Sequence, residues 1–149
     1  MYTIRKANDD EAEKLTEIAI ASKKYWNYPE SWFEEWSDVL NISPETIHNL
    51  DIWVAENDSS PFGFVGISVS DSVAELEHLW VHPDYMSQGT GKSLFKKVID
   101  YCQCNGVKKI RIESDPNAQG FYEKMGAHQV GFVESKPKPR KLPVLIFAV

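Results

Sequence analysis

The stretch from Val73 to Glu113 constrains the fold more than any other part of the chain. VAELEHLWV reads as a strand and His82–Ser93 as a loop carrying Gly89 and Gly91. Leu94, Phe95, Val98, Ile99 and Cys102 then recur at helical spacing up to a stop at Gly106, and Val107–Glu113 begins another strand. A strand, a loop, an amphipathic helix and a second strand form a crossover, and a crossover needs a sheet on which to pack its apolar helix face.

The flanking segments supply the rest of that sheet. DIWVAEN and FGFVGISVS precede VAELEHLWV, with turn signals at Asp58-Ser-Ser-Pro61 and Asp71-Ser72, so three strands joined by hairpins lead into the crossover. Before them, Tyr2–Lys6 alternates as a first strand, and Asn8 with Glu11 marks a capping box. Ala12, Leu15, Ile18, Ala19, Ser22 and Tyr25 then form an amphipathic stripe. A second helix follows Pro29, with Trp32, Phe33, Trp36, Val39 and Leu40 on one face, and Ser43-Pro44 opens a short one to about Asn49. After the crossover, a short helix from about Asn117 carries Phe121, Tyr122 and Met125 to a stop at Gly126. Strands at about 127–134 and 142–149 close the chain. The expected order is β-α-α-β-β-β-α-β-α-β-β, an α/β fold with a mixed sheet, in a single domain over 1–149.

Composition narrows the function. A chain of 149 residues with 42% hydrophobic content can build its core without disulfide or metal staples. A net charge of −6 argues against a nucleic-acid partner, which would need a clustered basic face. No apolar run reaches the ~18 residues of a membrane helix, and the N-terminal segment is too polar for a signal peptide, so a cytoplasmic protein is expected. Cys102 and Cys104, two apart on a helix with no histidine at ligand spacing, read as reduced thiols, and no metal site is expected.

The glycine loop is where chemistry concentrates. Gly89 and Gly91 open directly onto a helix, where unpaired N–H groups and the helix dipole attract anions. Lys92, Ser93, Lys96 and Lys97 add positive charge and a hydroxyl. A phosphate-bearing ligand is the natural occupant, against the plainer alternative of a tight turn in which glycine serves geometry alone. Gly91-Lys92-Ser93 matches the end of a P-loop, but that pattern's first glycine falls on Met86, and no apolar strand ends in an Asp suited to Mg²⁺.

Leu79-Trp-Val81-His-Pro83, Met86-Ser-Gln-Gly89-Thr-Gly91 and, one strand later, Asn117-Ala-Gln-Gly-Phe-Tyr-Glu-Lys-Met-Gly126 together resemble the acetyl-CoA-binding core of the GNAT-type N-acetyltransferases. LEHLWVHP and DPNAQGFYEKMGA are similar to a bacterial subgroup whose acceptors are mostly unassigned. The resemblance covers the whole chain in element order and Glu75–Gly126 in motif. It implies a mostly antiparallel central sheet flanked by helices, acetyl-CoA as co-substrate, and an amine acceptor, either a small molecule or a peptide. A homodimer is a further expectation from the resemblance, and LPVLIFAV at the C-terminus would be either a fully buried strand or one exchanged between copies.

Residue by residue, the resemblance assigns the pantetheine arm to the strand backbone at Leu79, Trp80 and Val81, with the Val81 N–H facing the thioester oxygen. It assigns the pyrophosphate to Met86, Ser87, Gln88, Gly89, Thr90, Gly91, Lys92 and Ser93. Met86 departs from the Arg or Gln usual there, and Gln88 is the residue placed to compensate. Asn117 would contact the pantetheine amides, and Tyr122 would protonate the departing thiolate, since a phenol with pKa near ~10 keeps its proton at neutral pH. An acceptor alkylammonium must first lose a proton, and Glu77 is the favoured base over Glu75 and His78, directly or through water. Glu75 and Glu77 share a strand face unless a bulge intervenes, and the resemblance implies one near Leu79 that could turn either residue away. Acceptor contacts are expected from Tyr25, Trp26, Tyr28 and Glu75, because six of the eighteen aromatics crowd residues 25–36. Trp32, Phe33 and Trp36 are expected in the core. The competing reading is a CoA-binding module without catalysis.

Overall fold

A computed structural model describes residues 2–149. Its strands are β1 (Thr3–Lys6), β2 (Asp51–Asn57), β3 (Ser60–Ser70), β4 (Val73–Val81), β5 (Lys109–Glu113), β6 (His128–Glu134) and β7 (Lys141–Ala148). They form one seven-stranded sheet in the spatial order β1-β2-β3-β4-β5-β7-β6. Every neighbouring pair is antiparallel except β4 and β5, which run parallel because the crossover helix returns the chain to the same end of the sheet. The helices are α1 (Ala12–Lys24), α2 (Glu30–Glu35), α3 (Ser37–Leu40), α4 (Pro44–Asn49), α5 (Thr90–Cys104) and α6 (Gln119–Met125). None is long and apolar enough to cross a membrane.

The strand period of two sends alternate side chains into two cores, one on each face of the sheet. On one face, Leu94, Phe95, Val98 and Cys102 of α5 pack on Val65, Ile67, Ala74, Ile110 and Ile112. On the other, Leu15, Ile18 and Ala19 of α1, with Leu40, Ile42 and Ile47, cover Ile52, Val54 and Phe64. Each such buried Leu, Ile or Phe contributes about 1.5–3 kcal/mol of transfer free energy, so both helical stripes are anchored by what they cover. β7 lies between β5 and β6 in the chain's own sheet, with Val144 and Leu145 buried.

Residues 30–40 depart from the single helix that their aromatic spacing suggests. The segment is two short helices that meet at Trp36, whose indole Nε1 donates to the Lys136 carbonyl at 2.9 Å. Trp36 is buried, Trp32 and Phe33 are half-buried, and Val39 is exposed. With the indole held by the loop between β6 and β7, α3 continues with Leu40 buried and Val39 turned to solvent.

Two irregularities in β4 make room for a site. A register shift opposite Gly66 and Ile67 leaves Glu77 without a partner, a bulge on β4. Pairing with β5 covers only Val73–Leu76, so from Glu77 to Val81 that edge of β4 is unpaired. The sheet is therefore split at its C-terminal side, and a passage joins its two faces.

Candidate active site in the split between two parallel strands

A cleft of about 620 Å³ occupies the split. The His82 N–H donates back to the Phe62 carbonyl on β3 at 2.8 Å. Because successive residues of a strand turn their amides to opposite edges, the N–H and C=O of Val81 and Leu79 face the cleft. An extended amide chain laid there would find the donors and acceptors of a missing strand. Trp80, between them, turns its side chain to the α1 face, where it packs with the second core.

At the α5 end of the cleft the chain makes a sharp entry into the helix. Ser87 and Gly89 have positive φ, 64° and 80°, and Gly89 is the N-cap. A Cβ at Gly89 would meet no atom within 4 Å, so glycine is required there by backbone conformation and by what must approach it, not by crowding. The Ser93 N–H bonds the Gly89 carbonyl at 3.0 Å, whereas the amides of residues 87–92 find no acceptor among the described residues. The Thr90 hydroxyl is likewise buried without a partner. Unpaired amides at a helix N-terminus, an orphaned hydroxyl and Lys92 together fit a pyrophosphate. Ser93 turns away, accepting from the Tyr2 hydroxyl at 2.8 Å, and Gln88 is exposed outside the cleft lining.

Tyr122 reaches the cleft from α6. Its ring is 6% exposed and packs edge-on against Phe95 and Phe121, and its hydroxyl has no hydrogen-bond partner among the described residues. Burial, reinforced by the nearby Asp115 carboxylate, raises its pKa well above the ordinary phenol value, so it holds its proton at any physiological pH. A protonated, unspent phenol facing a cleft can donate to a group that arrives there. Asn117 lines the same cleft, with its amide donating to the Tyr28 hydroxyl at 3.0 Å.

On β4 the bulge brings Glu77 and His78 to the α1 face together. The exposed Glu77 carboxylate accepts from the Ser68 hydroxyl at 2.7 Å and borders the cleft. His78 is 9% exposed, tilts against Phe64, and accepts at Nδ1 from the Trp80 indole at 3.1 Å. Burial lowers its pKa to about 4, so it is neutral at pH 7 and too weak a base to deprotonate an ammonium. Glu75 stands apart from the cleft lining. It pairs with Arg111 at 3.2 Å, while burial raises its pKa against that partner.

The aromatic turn after α1 divides into two parts. Tyr25 and Trp26, 53% and 43% exposed, border the cleft. Tyr28 instead stacks on Trp32 and donates to Asp115 at 2.9 Å. Asp115 also receives the Lys23 ammonium at 2.7 Å, Arg140 at 3.3 Å and the Asn117 N–H at 2.9 Å. Desolvation pushes Asp115 up, but Lys23 and the other donors outweigh it and leave its pKa below the usual carboxylate range. Burial moves Lys23 the other way, below the ordinary ammonium value, despite Asp115. Sequence reasoning missed Lys23, Asp115 and Arg140. Lys23 closes a helix whose polar positions are mostly solvated, and nothing local distinguishes it. The only signal is that Asp115 directly precedes the Pro-Asn that opens the α6 motif.

Among the described residues, no three His, Cys, Asp or Glu side chains converge as a metal site. Residues 14–127 match the family model described as the acetyltransferase (GNAT) family. The chain is similar to a spermidine N(1)-acetyltransferase of Thermoplasma acidophilum, 30% identical over 122 residues, which cover 73% of this chain and 75% of the relative. It is also similar to a Bacillus subtilis protein named for alanine N-acetylation of ribosomal protein bS18. That match is 28% identical over 81 residues and takes in 52% of this chain, which spans only about half, 54%, of the relative's length. Among solved structures, the coenzyme A complex of the PaiA N-acetyltransferase of Thermoplasma acidophilum superposes with a TM-score of 0.80 at 22% identity, covering 100% of this chain and 99% of that one.

Proposed function

The chain belongs to the acetyltransferase (GNAT) family, and from that premise we propose that it transfers an acetyl group from acetyl-CoA to a primary amine by direct attack. The observation that carries this is the split between β4 and β5. One passage there presents unpaired amides and the Thr90 hydroxyl at the α5 end, the free edge of β4 along its wall, and the unspent Tyr122 hydroxyl inside. Acetyl-CoA supplies an activated acyl group on a thiol that can leave.

The chain's own residues then divide the work. Backbone N–H groups of residues 87–92 hold the pyrophosphate, and the β4 edge at Leu79 and Val81 orients the arm. Glu77, at the rim on the α1 face, takes the proton of the incoming ammonium directly or through one water. The Val81 N–H points to where negative charge gathers on the carbonyl oxygen as the amine attacks. Tyr122 gives its proton to the departing sulfur, and the second proton that the nitrogen sheds as the amide forms restores the phenol. No side-chain nucleophile is needed, since Cys102 is buried in the core under α5 and Cys104 is exposed at its end.

The acceptor would enter past Tyr25 and Trp26, which border the cleft. The test is a thiol-release assay with acetyl-CoA and a panel of primary amines, with products identified by mass. An amine gaining one acetyl group (42 Da) with stoichiometric CoA release supports the reading. Tight acetyl-CoA binding with no acetylated product from any amine or peptide would favour a binding module instead.

A further inference from the structure

Lys23 and Tyr28, at the end of α1 and in the turn after it, meet Asp115 and Arg140 from two distant parts of the chain at the α1 face of the cleft. Around the single carboxylate of Asp115 sit two cations and two further donors, so both of its oxygens are fully used. The balance of Lys23, Arg140 and Asp115 is one positive charge in excess. No other carboxylate lies within salt-bridge distance of either cation among the described residues. Lys23 is 7% exposed and is among the residues lining the cleft, and its ammonium sits 4.3 Å over Trp36, 5.0 Å over Tyr28 and 5.9 Å over Trp80. Arg140 sits 5.2 Å over Tyr28 and over Trp36. The rings favour cations there, but they leave the excess charge unneutralised.

A desolvated charge without a counterion is costly, and the cost is relieved when an anion joins it. Lys23 has one proton donated to Asp115 and two more without an acceptor among the described residues. In the acetyl-transfer reading the amides at the start of α5 are taken by the pyrophosphate, so an anion at Lys23, over Trp80 on the α1 face, would come from the acceptor. We propose that Lys23, backed by Arg140, reads a carboxylate carried by the acceptor, so that the acceptor is an amino-acid-like molecule and not a polyamine. This rests on the acetyl-transfer reading above, and it makes Lys23 and Arg140 determinants of specificity. Like charge at the same point disfavours a second ammonium on the acceptor.

The test uses matched pairs: phenylalanine with phenethylamine, leucine with isoamylamine, and lysine with cadaverine, plus spermidine. Each is assayed for thiol release with acetyl-CoA in the wild type, Lys23→Met and Arg140→Gln. In a second arm, the N-acetylated member of each pair is titrated into the CoA-loaded protein. A hydrogen-bonded charge pair gives about 10-fold or more in kcat/KM for the carboxylate member of at least one pair. Lys23→Met is expected to bring that ratio close to one, mainly through KM, with a smaller loss in Arg140→Gln, a loop substitution that spares α1. Carboxylate-dependent binding that needs Lys23 but comes without turnover would keep the anion subsite and overturn acetyl transfer. Acetylation of spermidine or cadaverine, or of the uncharged-tail amines phenethylamine and isoamylamine, as fast as of amino acids would overturn the subsite and keep acetyl transfer. So would a carboxylate preference unchanged by Lys23→Met, or no carboxylate-dependent difference in either arm.

Discussion

His78 ties the shape of the site to a measurable property of the whole fold. Its ring is buried beside Phe64 and Trp80, and it titrates near pH 4 when folded, against about 6.5 as a free side chain. Above pH 6.5 both the folded and unfolded states hold it neutral, and it contributes nothing to the pH dependence. Between about 6.5 and 4 the unfolded chain binds a proton that the folded chain refuses, so stability falls as pH falls, by about 3 kcal/mol over the whole window and about 2 kcal/mol by pH 5. Replacement by His78→Gln keeps an oxygen to accept from the Trp80 indole and removes the titration. Urea unfolding of both proteins at pH 7 and pH 5 isolates the effect, because the carboxylates, including Asp115 and Glu11 with their lowered pKa values, titrate in both. The wild type should lose about 2 kcal/mol more than the variant between those two pH values. Parallel losses would refute the burial argument and return His78 to consideration as a proton acceptor.

Other substitutions probe the chemistry. Glu77→Gln should lower kcat/KM about 10²-fold at pH 7, with the loss shrinking as pH approaches the acceptor's own pKa near ~10, and a pH profile parallel to the wild type would remove Glu77 as base. Gly89→Val forces a β-branched residue into the left-handed region at a cost of about 1–2 kcal/mol while its Cβ meets no protein atom, so acetyl-CoA affinity should fall by more than thermal stability does. Calorimetric titration beside a melting curve separates the two, and unaltered acetyl-CoA affinity would place the pyrophosphate elsewhere.

Much of this fold is written locally. The stripes of α1 and α5 each cover one face of the sheet, and the glycines before α5 mark the turn where amides go unpaired, because those features depend on neighbours a few residues away. The break at Trp36 does not, since it is set by a carbonyl one hundred residues on. The bulge that the resemblance implies near Leu79 falls at Glu77, because its place depends on the register with β3. The Lys23–Asp115–Arg140 cluster was illegible for the same reason. Its members sit 92 and 25 residues apart, and only the sheet's split brings α1, the end of β5 and the β6–β7 loop to one point. Tyr28 shows the consequence: its aromatic neighbourhood suggested an acceptor wall, whereas its hydroxyl is bound to Asp115 and Asn117.

The most direct test of the proposed chemistry is Tyr122→Phe, assayed for acetyl transfer to whichever amine the wild type uses and titrated with acetyl-CoA in parallel. The phenol hydroxyl has no hydrogen-bond partner to lose among the described residues, so the variant should fold normally and bind acetyl-CoA with nearly unchanged affinity. Its kcat should fall roughly 10²-fold, the size of a general-acid contribution. Equal turnover by the variant would contradict the assignment of Tyr122 as the proton donor to the leaving thiolate.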